Sequence, residues 1–310
     1  MIGALTFHRY DKATSTLYRA LRDLYCLWMR RLTNLLLMKI PDANPSTIGR
    51  HLLMGKSLLF MIACFISGGA FAQTTGEYLE RSFQSDGDTL PYRVMYPNHF
   101  DESQTYPVVL FLHGRGESGT DNKKQLYHGS KLFQDSLDQY PAIVIFPQCP
   151  NDDFWAKLDK DAFKDGRRAF TFDHEAETGT SLQLVIDLID SVKQEKYVDD
   201  SRLYVAGLSM GGMGTWDILW RQQDTYAAAI SICGAGPRQL SAIYAETPVW
   251  IFHGVKDDVV PPRSSIGLTR GIQQHGGVAK LTLYPDANHI SWDPAFADPR
   301  LLSWLFSHSK

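Results

Sequence analysis

The stretch Ser201-Arg-Leu-Tyr-Val-Ala-Gly-Leu-Ser-Met-Gly-Gly-Met-Gly-Thr-Trp216 constrains this chain more than any other. Leu203 to Ala206 is a short apolar, β-prone run that reads as a buried strand. From Met210 through Asp217 to Trp220 the residues suit a helix. Between them, Gly207-Leu208-Ser209-Met210-Gly211 places a serine between two glycines at a strand-to-helix junction, the pattern of a nucleophile elbow. Glycine belongs there because a Cβ would collide with the neighbouring strand or helix. Such a turn lifts the serine Oγ above the sheet and leaves the Met210 N–H free to face a developing oxyanion. Serine is also a favoured helix N-cap, so the motif alone does not separate a nucleophile from a cap. The choice rests on whether a base, an acid and a second oxyanion donor occur in the right order.

Around this stretch, strands and helices alternate. Tyr78–Phe83 and Thr89–Tyr96 flank the turn signal Ser85-Asp86-Gly87-Asp88 and predict an opening hairpin. Val108–Leu112 is a continuous apolar strand of the kind buried on both faces of a parallel sheet. A helix is expected around Lys124–Leu137, a strand over Ala142–Phe146, and a loop-like excursion from Pro147 to Asp173 that could wall or cover a site. Ser181–Lys193 carries apolar residues at helical spacing. Strands Ala227–Ile232, Val249–Phe252 and Lys280–Tyr284 follow, with a helix over Arg263–Gln274 and a short final helix over Pro299–Ser307. This alternation predicts an α/β fold, a mostly parallel central sheet with helices on both faces. Residues 73–310 read as one domain.

In such sheets function collects at the carboxyl ends of the strands. Those ends carry His113-Gly-Arg-Gly, Ser209, His253-Gly-Val-Lys-Asp257-Asp258 and Pro285-Asp-Ala-Asn-His289. A serine hydroxyl needs a base to become a nucleophile at neutral pH, and the base needs a carboxylate to fix its tautomer and stabilise its cation. The order Ser, Asp, His along the chain suits this fold. Three late histidines, His275, His289 and His308, follow the serine and the acid; His289 is favoured because it sits in the loop just after the last strand. Asp257 is favoured over Asp258 as the acid, while Asp286 lies so close to His289 that it reads as a loop-shaping residue. His113 and His253 read as structural. The second oxyanion donor is assigned to the Arg115 N–H, with Gly116 next, on a loop made pliable by Gly114, Gly116 and Gly119. Trp155 and Trp292 are candidate pocket aromatics, with packing beneath loops as the alternative for both.

The motifs HGRGESGTDN (113–122), FPQCP (146–150), DDSRLYVAGLSMGGMGTW (199–216), HGVKDDVVP (253–261) and YPDANHISW (284–292) resemble the α/β-hydrolase superfamily. Within it they are similar to secreted esterases of the phospholipase/carboxylesterase-like and predicted-peptidase group, and to dienelactone hydrolases. The resemblance implies a serine carboxylesterase with Ser209, Asp257 and His289 as triad and the N–H groups of Met210 and Arg115 as oxyanion hole. It implies no metal and no organic cofactor, and an ester substrate that is a small molecule or borne on a polysaccharide. Arg115 stands where such relatives often carry a small residue, which would leave a backbone donor intact and add a cation at the mouth. A peptidase of prolyl-oligopeptidase type is the nearest enzymatic alternative, although the roughly 238 residues after position 72 leave no room for a propeller domain. A hydrolase-fold binding protein without activity is the other.

Charge and cysteine usage narrow the setting. Residues 1–72 hold nine Lys/Arg and three Asp/Glu; with a formal charge of −3 for the whole chain, the remainder carries −9. An acidic body of this kind argues against a nucleic-acid partner. Residues 54–72, MGKSLLFMIACFISGGAFA, have a lysine near the start, an apolar run of about a dozen residues and Ala70-Phe71-Ala72 before Gln73, the layout of a secretory signal peptide. The apolar run is too short to span a bilayer, so no stable membrane span is expected after cleavage. A signal peptide acts at an N-terminus, so residues 1–53 read as an over-extended start or a basic leader, with a membrane-surface helix as an alternative. The expected destination is the periplasm or the exterior. Cys149 and Cys233 are expected to be free buried thiols, because strands three positions apart hold them too far from each other to bridge.

Overall fold

The computed structural model describes residues 76–159 and 170–310. The leader over 1–53 and the signal segment over 54–72 lie outside the described residues. Eight strands form one sheet in the order β1-β2-β4-β3-β5-β6-β7-β8. These are β1 (Leu79–Ser85), β2 (Asp88–Met95), β3 (Tyr106–Leu112), β4 (Ile143–Pro147), β5 (Val198–Leu208), β6 (Ala228–Ile232), β7 (Val249–Gly254) and β8 (Ala279–Tyr284). Pairings from β4 through β8 are parallel, and β1 and β2 join antiparallel at one edge. The β1–β2 turn places Asp86 and Gly87 at positive φ, the two-residue geometry whose twist matches that of the flanking strands.

Period-two alternation sorts the strand side chains onto two faces. Val108, Leu110, Leu112, Leu203, Val205, Val249 and Ile251 pack against helices α2 (Thr180–Val192), α3 (Met210–Arg221), α4 (Ser241–Tyr244) and α5 (Arg263–Gln274). Val109, Phe111, Tyr204, Ala206, Trp250 and Phe252 pack against α1 (Ser130–Asp135), α6 (Trp292–Phe296) and α7 (Leu301–Leu305). Burial on both faces is why these strands read as unbroken apolar runs. Among the described residues no helix is long and apolar enough to cross a membrane.

Several elements depart from the sequence reading. The helix expected over Lys124–Leu137 is a 3₁₀ turn at Lys124–Leu126 followed by α1. Gly129 interrupts it at φ 82°, where a Cβ would sit 2.7 Å from the Phe111 ring. Strand β5 begins five residues before Leu203, because Val198 pairs with Tyr106 ahead of a register shift that the polar run Asp199-Asp-Ser201 conceals. The terminal helix is only Leu301–Leu305, preceded by the unforeseen α6. Cys149 and Cys233 are both buried and free, as expected.

After β3 the chain passes to β4 on one side, and after β5 it passes to β6, β7 and β8 on the other, so the carboxyl ends of these two adjacent strands form the switch-point crevice of the sheet. The loops that carry the candidate residues leave the sheet at that end, after β3, β5, β7 and β8.

Candidate active site

Ser209 follows β5 and precedes α3 at φ 52°, ψ −114°, a strained conformation for a non-glycine residue. Its N–H donates to Ile232 O at 2.8 Å, which anchors the turn to β6. A Cβ on Gly207 would run into the Gly211 carbonyl and come within 2.9 Å of Thr215 Oγ1; one on Gly211 would run into the Leu112 carbonyl and come within 2.8 Å of His113 O. Both glycines are therefore demanded by close backbone approach, and the strain at Ser209 is held by the packing around it.

Ser209 Oγ lies 2.9 Å from His289 Nε2, and His289 Nδ1 lies 2.8 Å from Asp257 Oδ2. The carboxylate can only accept, so Nδ1 carries the proton and Nε2 accepts from the serine. His289 is partly exposed, at 17%, whereas the Asp257 side chain is fully buried. Burial alone would raise the Asp257 carboxyl, but hydrogen bonds from His253, His289 and the Val260 N–H outweigh it and hold the group well below the usual carboxylate range. Its other oxygen takes the N–H groups of Val259 and Val260, both at 2.9 Å.

His253 does more than pack beneath the site. Its Nε2 lies 2.8 Å from Val260 O and 3.2 Å from Asp257 Oδ2, so that nitrogen donates, and Nδ1 accepts from Ser265 Oγ at 2.7 Å. His113 is tied to the opposite loop: Nδ1 donates to Gly114 O at 2.6 Å and Nε2 accepts the Cys149 N–H at 3.0 Å. Burial holds its pKa down at about 4, so it is neutral near pH 7.

The two assigned backbone donors have one structural origin. The first helical bond of α3 runs from Met213 N–H to Ser209 O, which leaves the Met210 N–H ahead of the ladder. Arg115 opens a 3₁₀ turn (Arg115–Glu117) whose first bond is Glu117 N–H to Gly114 O at 3.2 Å, so the Arg115 N–H precedes that ladder as well. A Cβ on Gly114 would lie 3.6 Å from Ser209 Cβ, which measures how closely this loop approaches the serine. The Arg115 guanidinium folds away onto the carbonyls of Asn151 and Asp153 and lies over the Phe154 ring.

The remaining candidates separate cleanly. Asp258 and Asp286 are exposed, and Asp286 pairs with Lys256 at 2.8 Å. His275 caps α5, and His308 packs on Trp304. Trp155 as a pocket aromatic is corrected: it is 0% exposed, donates Nε1–H to His113 O at 3.1 Å and packs edge-on to His113, because the loop folds it inward beneath the site. Trp292 stands edge-on to the His289 ring at 5.7 Å. The excursion after β4 contributes Phe154, Leu158, Phe170 and Phe172 to a small apolar cluster with Met213 of the elbow helix and Val260 of the acid loop, so its described parts form a wall. Sequence reasoning missed the pair Glu117 and His128, which lie 3.7 Å apart with Glu117 against Gly114. Glu117 was visible inside a quoted motif, but only the folded packing brings His128 to it.

Cys233 Sγ, the Asp257 carboxylate and the His289 ring lie within 4.8 Å of one another. Burial, and then the neighbouring Asp257 charge, push the Cys233 thiol up, and the carboxylate already accepts several hydrogen bonds. The arrangement suits a buried thiol under a Ser–His–Asp chain better than a metal centre.

A family model described as Phospholipase/Carboxylesterase matches residues 100–299. The bifunctional acetylxylan esterase/xylanase XynS20E of Neocallimastix patriciarum is 31% identical over 157 residues, 50% of this chain and 20% of that protein. Dipeptidyl-peptidase 5 of Porphyromonas endodontalis is 21% identical over 68% of this chain and 34% of its own length. Among solved structures, a thermostable esterase is 32% identical with a TM-score of 0.66, covering 75% of this chain and 63% of that one. A ferulic acid esterase shares the fold at 15% identity and a TM-score of 0.55, covering 74% and 98%. The chain spans a fifth to a third of the length of the curated relatives it matches.

Proposed function

Because this chain belongs to the phospholipase/carboxylesterase family of α/β-hydrolases, we propose that it is a serine hydrolase that cleaves carboxylic esters through an acyl-enzyme. The observation that carries this reading is the unbroken chain Ser209 Oγ–His289–Asp257, at 2.9 and 2.8 Å, starting from a strained elbow. As Oγ attacks the ester carbonyl, His289 Nε2 takes its proton, and the ionised Asp257 stabilises the imidazolium so formed. The carbonyl oxygen, now an oxyanion, is held by the N–H groups of Met210 and Arg115. His289 returns the proton to the leaving alcohol, and a water activated by the same nitrogen releases the acid. No step calls for a metal or organic cofactor.

Esters are preferred to peptides as substrates because two relatives above 30% identity are a bifunctional acetylxylan esterase/xylanase and a thermostable esterase. We assign a small-molecule or polysaccharide-borne ester as substrate, and secretion or periplasmic residence through the signal segment 54–72. A peptidase reading is supported by the similarity to dipeptidyl-peptidase 5. A p-nitrophenyl ester series from acetate to palmitate, run beside an aminoacyl p-nitroanilide, separates the two. Hydrolysis of short esters that disappears in Ser209→Ala is expected. Anilide cleavage without ester cleavage would favour the peptidase, and silence on both by the folded protein would favour a binding protein.

A further inference from the structure

The loop that presents the Arg115 N–H contains three glycines and little side-chain mass with which to fix itself. Two buried side chains clamp it at Gly114. On the carbonyl side, Gly114 O accepts from His113 Nδ1 at 2.6 Å and from the Glu117 N–H at 3.2 Å. On the other side, the Glu117 carboxylate packs directly against Gly114. The contact is close: a Cβ built on Gly114 would lie 2.9 Å from Glu117 Oε2.

Peptide planarity gives this clamp a consequence for the site. The Gly114 carbonyl and the Arg115 N–H belong to one trans peptide unit and point in opposite directions. Fixing Gly114 on both sides therefore fixes the direction of the Arg115 N–H.

Glu117 is in turn held from behind. Its Oε1 lies 3.7 Å from His128 Nε2, and its side chain is 10% exposed. The His128 ring lies 5.2 Å from that of Trp292, which stands edge-on to His289. The Trp292 Nε1 is buried without a hydrogen-bond partner among the described residues, so packing rather than bonding holds that ring. A route of contacts independent of the sheet thus joins the base to the loop beside the serine.

Burial disfavours the charged form of the Glu117 carboxyl, a cost that its polar contacts have to offset. Here its two oxygens serve two partners. We propose that Glu117, steadied by His128, is a positioning residue that pins Gly114 so that the Arg115 N–H is aimed at the oxyanion. The inference rests on the ester-hydrolase reading.

The test compares steady-state ester hydrolysis with inhibition by an alkyl trifluoromethyl ketone. Ser209 Oγ adds to the ketone carbonyl, the C=O π pair becomes a hemiketal oxyanion, and the Oγ proton passes to His289. Glu117→Ala is expected to lower kcat about 10- to 100-fold, the scale of a small misplacement of catalytic groups. KM should move little, and affinity for the ketone should fall by the same factor. Glu117→Gln keeps a side chain of the same shape with an oxygen against Gly114 and should stay within about threefold of wild type in both readouts. An unaffected Glu117→Ala, a Gln variant as impaired as the Ala variant, or a lowered kcat with unchanged ketone affinity would each overturn the proposal. Should the Ala variant not fold, His128→Ala replaces it, with kcat and ketone affinity expected to fall together; a fall in kcat alone, or no fall, overturns the proposal. An inactive wild type would sink the ester reading itself, whereas an active wild type beside an unimpaired Glu117→Ala sinks only this inference.

Discussion

Replacing Asp257 by Asn leaves a side chain of nearly the same shape at the far end of the Ser209–His289 chain but removes the charge that fixes the imidazole tautomer. The expected result is a loss of about 10³- to 10⁴-fold in kcat with the fold intact, read from ester kinetics beside circular dichroism. Gly211→Ala should fail differently. Its Cβ meets the Leu112 carbonyl, so the elbow must open, and urea unfolding should report a loss of more than about 3 kcal/mol together with loss of activity. His113 supplies a pH signature. Its pKa of about 4 in the fold lies below the ordinary 6.5, so between these values the unfolded chain binds a proton that the native one refuses. Native stability therefore falls as pH drops from 6.5 toward 4, by on the order of 3 kcal/mol for a shift of this size, and then levels off for this group. Asp257 acts below that window: its depressed pKa adds stability above the ordinary 3.8 that is lost as pH falls further. A His113→Gln variant, whatever its absolute stability, should lose the upper segment of the slope in urea titrations. Ser209, Asp257 and His289 were legible as a candidate constellation because each follows a strand end at a recognisable motif. Glu117 and His128 were not legible as a pair, since residues 11 apart meet only through the turns between them, at Asn122 (φ 50°) and Lys124–Leu126.

At the scale of elements, what positions the serine is α3 and what α3 holds. Asp217 on this helix bonds Arg221 at 2.5 Å, the Lys157 N–H at 2.8 Å and Trp220 Nε1 at 3.1 Å, while Arg221 reaches Thr178 Oγ1 and Ala176 O. Lys157 within the excursion after β4, and Ala176 and Thr178 just beyond it, are thereby fastened to the helix that starts at the serine. The ion pair is almost fully buried, at 10% and 8% exposure, so removing one partner strands the other. Arg221→Ala should lower stability by about 3 kcal/mol or more in urea unfolding. It should also make the 151–178 segment the first site of cleavage in limited proteolysis; unchanged cleavage kinetics would contradict the fastening role. Strands were the best-read elements, because burial on both faces writes itself as uninterrupted apolar sequence. Helices next to loops were read less well: residues 124–137 have helical composition, but Gly129 turns left-handed to clear Phe111. The inward fold of Trp155 was equally invisible, since sequence does not distinguish an aromatic that lines a crevice from one that supports it.

For the molecule as a whole, the two described thiols follow from sheet order. Cys149 lies just after β4 and Cys233 just after β6, three strands across, and both are buried. Thiol-specific labelling with peptide mapping should leave both unmodified in the native protein and modify both after denaturation. If the signal segment is processed as proposed, N-terminal sequencing of exported product should begin at Gln73, and a product retaining Tyr10 or Trp28 would contradict it. In the function proposed above, one serine, activated by His289 and Asp257 at the carboxyl edge of this sheet, is the nucleophile of an ester hydrolase. The most direct test of this proposal is intact-mass analysis after a fluorophosphonate probe, with peptide mapping of the adduct. One adduct on Ser209 is expected in the wild type, with a labelling rate lowered by orders of magnitude in His289→Ala. A folded protein that takes no probe, or takes it on another residue, would contradict it.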